Sequence, residues 1–548
     1  MTMLEACINK DPHFLPALIE LASLHFRNYN DEKALSYARL ALSIDTYDAA
    51  ANYNYGLIQS RLGRVIDARD GFDIASANPE FRSASYLELG RSYFREEDYP
   101  NAEKYMRKSL DANGKNIETL QGLAILQRVT GNPEWKTTLQ AIKGLNPLNH
   151  FARAEEFLAV PSDQHAKEFT SMIRNEMPLE SYLQLAGLYS SLQLWKDALE
   201  ILKAASKPNA EVFYWMAWLQ MKTGEPAFAP TLETANAQTV EFVFPFRSES
   251  IPVFQWAVEQ TRHWKPKYFL ALLQAGHRNY ESATSLLASC GNQPDFPAFY
   301  AFRAGMIKST SFPDLEKAAS LDPQQWRYGK QMIANSLEMG DLKKALDVST
   351  RYYAQFRSDF RMQTLHARVL LLNGKNKECL KVLSKTYVLP FEGATESRQM
   401  YHEAHLTSAI EAYHAGKYSE AMTAVSAARL YPPQLGVGQP YPEDRDERLE
   451  NYVEGLILHA RKKDKEATAI FSKITAAPQP DGVPLLITAF CYRKLGQEQK
   501  GLELLNNWKQ RAPDNKSASW CLDVYAGKPA AKNSADEYGR IISRIQSL

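Results

Sequence analysis

Tyr53 to Gly63 reads YNYGLIQSRLG, and twelve residues beyond Gly56 stands Ala68, in the run RVIDARDGFDIASANP. Two small residues at a fixed offset, set among large apolar residues at helical spacing, describe a pair of helices. They approach each other at the small side chains while the large ones fill the seam. The element recurs. LIELASLHF, YLELGRSYF and LQGLAILQRVTG bring Ala22, Gly90 and Ala124 into register with Gly56, so the small residue returns every 34 residues. Ala34 and Ala102 repeat the second small position as Ala68 does. Turns rich in Asn, Asp or Gly, such as YNDEKA and EEDYPNA, divide the helices, and NP or DP stops each unit. A fixed period of this length describes an array in which each unit buries its apolar face against its neighbours.

This 34-residue helix-turn-helix pattern resembles the tetratricopeptide repeat, which keeps small residues at its eighth and twentieth positions. The resemblance implies an all-α fold, a right-handed superhelical α-solenoid of tetratricopeptide-like helix pairs. Carried forward, the frame places Ala186, Ala217, Ala271, Ile333, Ala367, Ala409, Gly455 and Ala489 at the eighth position. The intervals of 62 from Ala124 to Ala186 and from Ala271 to Ile333 each predict one shortened pair. The intervals of 54 after Ala217 and 46 after Ala409 predict insertions.

The expected organisation is therefore a half repeat over 1–12, four regular repeats over 13–150 and irregular, shortened repeats over 151–236. An aromatic insertion over 237–257 and degenerate repeats over 258–400 follow. Repeats over 401–515, with a loop inserted at 432–447, and capping helices over 516–548 complete it. LEACINKDP reads as the second helix of a pair, with Leu4 and Cys7 at packing positions and no first helix before it, so a longer protein is expected upstream.

The chain of 548 residues has 45% hydrophobic and 23% charged residues, an ordinary globular composition. Lys and Arg total 64 against 63 Asp and Glu, so no global field draws the chain to nucleic acid or an anionic membrane. Its five cysteines are scattered without a CxxC pair, which predicts buried free thiols rather than disulfides or a zinc cluster. No stretch reaches the roughly 18 apolar residues that span a bilayer, and the N-terminus lacks the profile of a secretory signal. A soluble chain of the cytoplasm or periplasm is expected.

Four pieces lie outside the repeat consensus: LNPLNHFARAEEFL (Leu145 to Leu158), FVFPFRSESIPVFQWA (Phe242 to Ala257), YHEAHLTSAIEA (Tyr401 to Ala412) and YPPQLGVGQPY (Tyr431 to Tyr441). They resemble an uncharacterised bacterial family in which a β-rich, sugar-associated N-terminal domain precedes a long tetratricopeptide array. Only the array half of that architecture lies in this sequence. The resemblance implies a link to carbohydrate by association.

Arg27, Arg61 and Arg95 recur with the repeat near the end of each first helix, with Arg128 close to the matching place in the fourth unit. They read either as a cationic ladder for an acidic partner or as cations favourable to each helix macrodipole. The paired Lys and Asn by which some tetratricopeptide proteins clamp a peptide C-terminus are not matched. HEAH spaces His402 and His405 three apart, unlike the zinc-protease HExxH, so core or interface histidines are expected. Trp195, Trp215, Trp218, Trp256 and Trp264, with Phe242, Phe244 and Phe246, are expected to pack the irregular segment down against the array.

No nucleophile, phosphate-loop, dinucleotide or calcium motif is present, so no catalytic residue, metal ligand or cofactor is expected. The loop YPPQLGVGQPYPEDRDER is too long for a junction, and it reads as an ordered loop that offers Tyr441 to a partner or a neighbouring domain, as a purely structural brace, or as a disordered segment. The reading is a non-catalytic scaffold for a protein or peptide, or for its own N-terminal domain, without nucleic acid and without membrane insertion. The alternative is a carbohydrate-active or carbohydrate-binding helical domain using aromatic and acidic residues.

Overall fold

Small residues at the seam do what their spacing predicts. In the computed structural model, which describes residues 1–528 and 537–546, Leu15–Arg27 packs on Asp31–Ile44, Ala49–Arg61 on Val65–Ser76, Pro79–Arg95 on Tyr99–Ala112 and Ile117–Val129 on Trp135–Leu145. Ala22, Ala34, Ala102 and Ala124 are fully buried. A methyl group on Gly56 would lie 2.7 Å from the Phe72 ring, and one on Gly90 would lie 2.8 Å from Met106 Cγ. Both are distances that packed atoms do not tolerate, so glycine is required for the approach.

The turn inside each pair has its own register. Tyr29, Gly63, Glu97 and Gly131 all adopt left-handed φ, at 55°, 74°, 61° and 72°. Glycine meets that demand without strain, whereas Tyr29 and Glu97 meet it at a cost of about 1–2 kcal/mol each. The helix starts are capped by side chains: Asn30, Asp48, Asp98 and Asn116 each accept a backbone N–H from the first turn.

The pattern continues to give 32 α-helices and no strand among the described residues, an all-α fold of tetratricopeptide-like helix pairs. The chain divides into two compact units, Met1–Ile307 and Lys308–Leu548. Short helices His150–Ala159 and Asp163–Ser171 occupy the first 62-residue interval, and Pro297–Met306 and Ser311–Leu321 lie in the second, on either side of the division. No described helix is long and apolar enough to cross a membrane.

Unit 1 contains the aromatic insertion, and the structure corrects the expectation for it. Residues 238–249 run without helix, and Ser250–Gln260 then forms an additional one. Val240, Val243 and Pro245 turn inward, and Arg247 pairs with Glu180 at 2.8 Å, so the segment lies on the array. Phe242, Phe244 and Phe246 face outward instead of packing down. Phe242 sits in a turn at φ 58°, and in the extended run after it alternate side chains point to opposite sides, so Val243 and Pro245 turn inward and Phe244 and Phe246 outward. The tryptophans are covered: Trp215, Trp218 and Trp264 are buried, and Trp195 and Trp256 half-buried.

Unit 1 also closes on itself. Asn279 Nδ2 donates to the Asn28 carbonyl at 3.0 Å, the rings of Tyr29 and His277 lie 5.2 Å apart, and Ser248 Oγ is 3.2 Å from His277 Nε2. Near the N-terminus Thr2–Lys10 packs on Leu15–Arg27 through Ile8, and Cys7 is exposed rather than buried. One residue of helical phase separates the two, and Ile8 has the larger apolar surface to bury. Cys290, Cys379, Cys491 and Cys521 are buried thiols.

Unit 2 stacks pairs from Trp326–Glu338 with Leu342–Gln355 to Leu485–Lys494 with Glu498–Arg511, followed by Lys516–Tyr525 and Glu537–Ile545. Of the expected capping segment, 529–536 and 547–548 lie outside the described residues.

Candidate functional site

The proline-rich stretch after Tyr418–Ala428 cannot continue a helix, because Pro432 and Pro433 lack the N–H that the ladder needs. The chain instead forms two short 3-10 turns, Pro433–Leu435 and Pro442–Asp444, before helix Arg448–Ala460 begins. Leu435 anchors the loop. Its side chain is buried among Leu370, Leu383, Met400 and Ala404, and its carbonyl accepts from Ser397 Oγ at 2.6 Å. Val388 N–H donates to the Gln434 carbonyl at 2.8 Å, which ties this loop to the one preceding helix Glu396–His414. Gly436 has φ +69°, and a methyl group there would lie 2.6 Å from the Val388 carbonyl oxygen. Only glycine gives both that turn and that contact.

The two pinned loops and the first turns of Glu396–His414 enclose a cleft of about 780 Å³. Arg398, His402, Tyr431, Val437 and Glu450 line it, with Phe391 among the loop residues at its edge. Arg398 is 8% exposed; its Nη2 donates to the Ala428 carbonyl at 2.7 Å, and its guanidinium lies 4.2 Å from the Tyr431 ring centroid. That carbonyl ends a helix, where a cation is favoured. Arg398 Nε is buried with no partner among the described residues.

Glu450 is 4% exposed; its Oε1 lies 3.0 Å from His402 Nε2, and its Oε2 is likewise buried without a partner. A buried polar atom without a partner carries a desolvation cost, and a donor and an acceptor of this kind lie within the wall of the cleft. Exposed Phe391 and, on the adjoining loop, Tyr441 present aromatic surface beside it.

His405 stands apart from this chemistry. Its ring meets Tyr401 edge-on at 4.4 Å, and burial lowers its pKa to about 4, so it is a neutral packed imidazole. No group of three or more metal-ligating side chains occurs among the described residues.

The four arginines singled out by the repeat belong to unit 1 and have partners of their own or lie in solvent. Arg61 pairs with Asp31, with Nε at 2.9 Å from its carboxylate, and stacks 3.6 Å over Phe26 and 4.3 Å over Tyr29. Arg95 Nη2 donates to Ser60 Oγ at 3.3 Å. Burial lowers the Arg95 pKa. Arg128 binds Glu155 at 2.5 Å and Asp197 at 2.6 Å, while Tyr189 Oη donates to the other Glu155 oxygen at 2.5 Å. Burial opposes the Arg128 charge, yet the two carboxylates together raise its pKa. Arg27 is exposed. Near-equal spacing along the chain thus gives four different environments.

Arg398 and Glu450 were not singled out from the sequence, although a signal existed. ESRQMYHEAH extends helical spacing well upstream of the repeat start, which places charged residues on a helix turn that a regular unit lacks.

No family model and no curated protein matches the chain. Among solved structures it is similar to a tetratricopeptide repeat protein from Parabacteroides merdae, at 19% identity over 49% of this chain and 89% of that one, with a TM-score of 0.29. It is also similar to YrrB, a TPR protein with an unusual peptide-binding site, at 19% identity over 36% and 97%, with a TM-score of 0.26. Tom70 of yeast is similar at 14% identity over 94% and 98%, with a TM-score of 0.23. Likeness at this level carries nothing about ligands, and the architecture of helix pairs is read from the chain itself.

Proposed function

We propose that this chain is a non-catalytic interaction scaffold and that the cleft between helix Glu396–His414 and the loop 429–447 receives a peptide segment of a protein partner. The observation that carries this reading is that Arg398 and Glu450, of opposite charge, line one cleft. Each is more than nine-tenths buried and each keeps an unpartnered polar atom, in a cleft beside exposed aromatic surface. A peptide supplies both complements, carbonyl oxygens for the guanidinium and N–H groups for the carboxylate, together with side chains to cover Phe391 and Tyr441.

Two of the four non-consensus pieces, Tyr401 to Ala412 and Tyr431 to Tyr441, contribute His402, Tyr431 and Val437 to the cleft. This supports a dedicated site over a loop of chance length. A carbohydrate connection has only the resemblance behind it. Direct sugar binding through the same cleft is distinguishable in one experiment.

Peptides enriched from a random displayed library on the full chain are measured by fluorescence anisotropy against wild type, Phe391→Ser, Tyr441→Ser and Arg398→Lys. The rim variants are expected to weaken binding about tenfold with an unchanged melting temperature, because both side chains are exposed. Peptides that bind all four proteins equally, or a library that yields none while neutral oligosaccharides bind, would overturn the reading.

A further inference from the structure

The last described helix does not simply extend the stack. Glu537–Ile545 lies against Glu396–His414, more than a hundred residues upstream. Arg540 donates through Nε and Nη2 to the two oxygens of Glu403 at 2.7 and 2.6 Å, a bidentate pair, and Arg544 Nη1 lies 3.6 Å from Glu411 Oε1. Ile541 and Ile542 are fully buried and Ile545 nearly so, in the cluster that includes Leu406, Ile410 and Tyr525. Gln546 Nε2 donates to the Lys528 carbonyl at 3.0 Å. The helix therefore packs on Glu396–His414 and reaches the chain just after Lys516–Tyr525. Its seat begins at Glu403, the residue after His402 of the cleft.

Two properties bear on how this helix is held. It is nine residues long, too short to persist in water by itself. Its seat carries charge opposite to its own: Glu403 and Glu411 face Arg540 and Arg544. With the helix seated, Glu403 is 7% exposed, and an empty seat would leave its carboxylate without the arginine beside an uncovered apolar surface. The seat calls for an occupant of defined chemistry.

We infer that the face of helix Glu396–His414 from Glu403 to Glu411 is a docking surface for a basic amphipathic helix, whose resident occupant is the chain's own Glu537–Ile545. The partner that competes for it presents arginines at i and i+4 with aliphatic side chains at i+1, i+2 and i+5, the pattern of Arg540, Arg544, Ile541, Ile542 and Ile545. The inference stands on contacts outside the cleft and is independent of what the cleft binds.

The probe is a fluorescein-labelled peptide, EYGRIISRIQSL, measured by anisotropy against full-length wild type and the full-length variant Arg540→Glu/Arg544→Glu, whose own helix is repelled from the seat. The variant is expected to bind the probe at least about tenfold more tightly than wild type. It should not bind a probe carrying the same two charge reversals. Equal binding of the probe to both proteins would overturn the inference. A second measurement covers a variant that fails to fold. In wild type, amides of 539–545 are expected to exchange about 100-fold faster than those of Leu485–Lys494, and equal protection would show a fixed cap.

Discussion

Burial at single residues gives this protein a pH response of defined sign. Glu211 is 2% exposed, accepts from Ser250 Oγ at 2.7 Å, and is pushed by burial up to about 7, with the serine bond opposing only in part. In the unfolded chain the carboxyl titrates near 4.5. Between those values the folded protein holds a proton that the unfolded chain releases. Stability from this group is therefore full below the unfolded pKa and is lost as pH rises through about 7, a difference of roughly 3 kcal/mol. His366 and His405, both lowered to about 4 by burial, act in the opposite sense, costing stability as pH falls below 6.5. The informative measurement is therefore a difference. Glu211→Gln is expected to raise the melting temperature relative to wild type at pH 8 and to lose that advantage at pH 5. An advantage independent of pH would contradict the assignment.

At the scale of helices and their junctions, regularity in sequence and regularity in structure part company. The small seam residues at Ala22, Gly56, Gly90 and Ala124 were legible because one helix pair repeats the same contact in each unit. Arg128 was legible as a recurring cation but not as what it became. Its partners Glu155 and Asp197 come from the shortened unit and the next, where no period applies. Helices Ile117–Val129, His150–Ala159 and Trp195–Lys203 are joined through this one guanidinium. Arg128→Ala is expected to cost roughly 3–5 kcal/mol, because it strands a buried carboxylate. Arg27→Ala, at an exposed position, should cost no more than about 0.5 kcal/mol. Urea midpoints of the two variants check this, and similar losses in both would refute the brace. The insertion teaches the same lesson. Aromatic content alone argued for burial of Phe242, Phe244 and Phe246, but a left-handed turn at Phe242 and the alternation of the extended run after it decided which side chains turned inward.

For the molecule as a whole, each unit is held by contacts that join distant parts of its own chain. In unit 1, Asn28 and Tyr29 meet His277 and Asn279, a separation of about 250 residues. Tyr29→Ala/Asn279→Ala is expected to speed amide exchange in Thr2–Lys10 and Leu15–Arg27, and to leave Ile117–Val129 unchanged. Uniform exchange rates in variant and parent would show that the closure contributes nothing. By itself the sequence determined the helix pairs, their turns and the positions where the array departs from regularity. Those features depend on side-chain spacing within one or two units, which a single stretch such as Tyr53 to Gly63 already displays. Only the tertiary structure decided where Arg398 meets Glu450 across a cleft, and that Arg540 returns to Glu403. It also decided that the repeating arginines are largely taken up by their own chain. Contacts of that kind have no period, because they are set by how stacked units bring irregular loops and ends together, and a charge is recognisable as a site only once its burial and its missing partners are known.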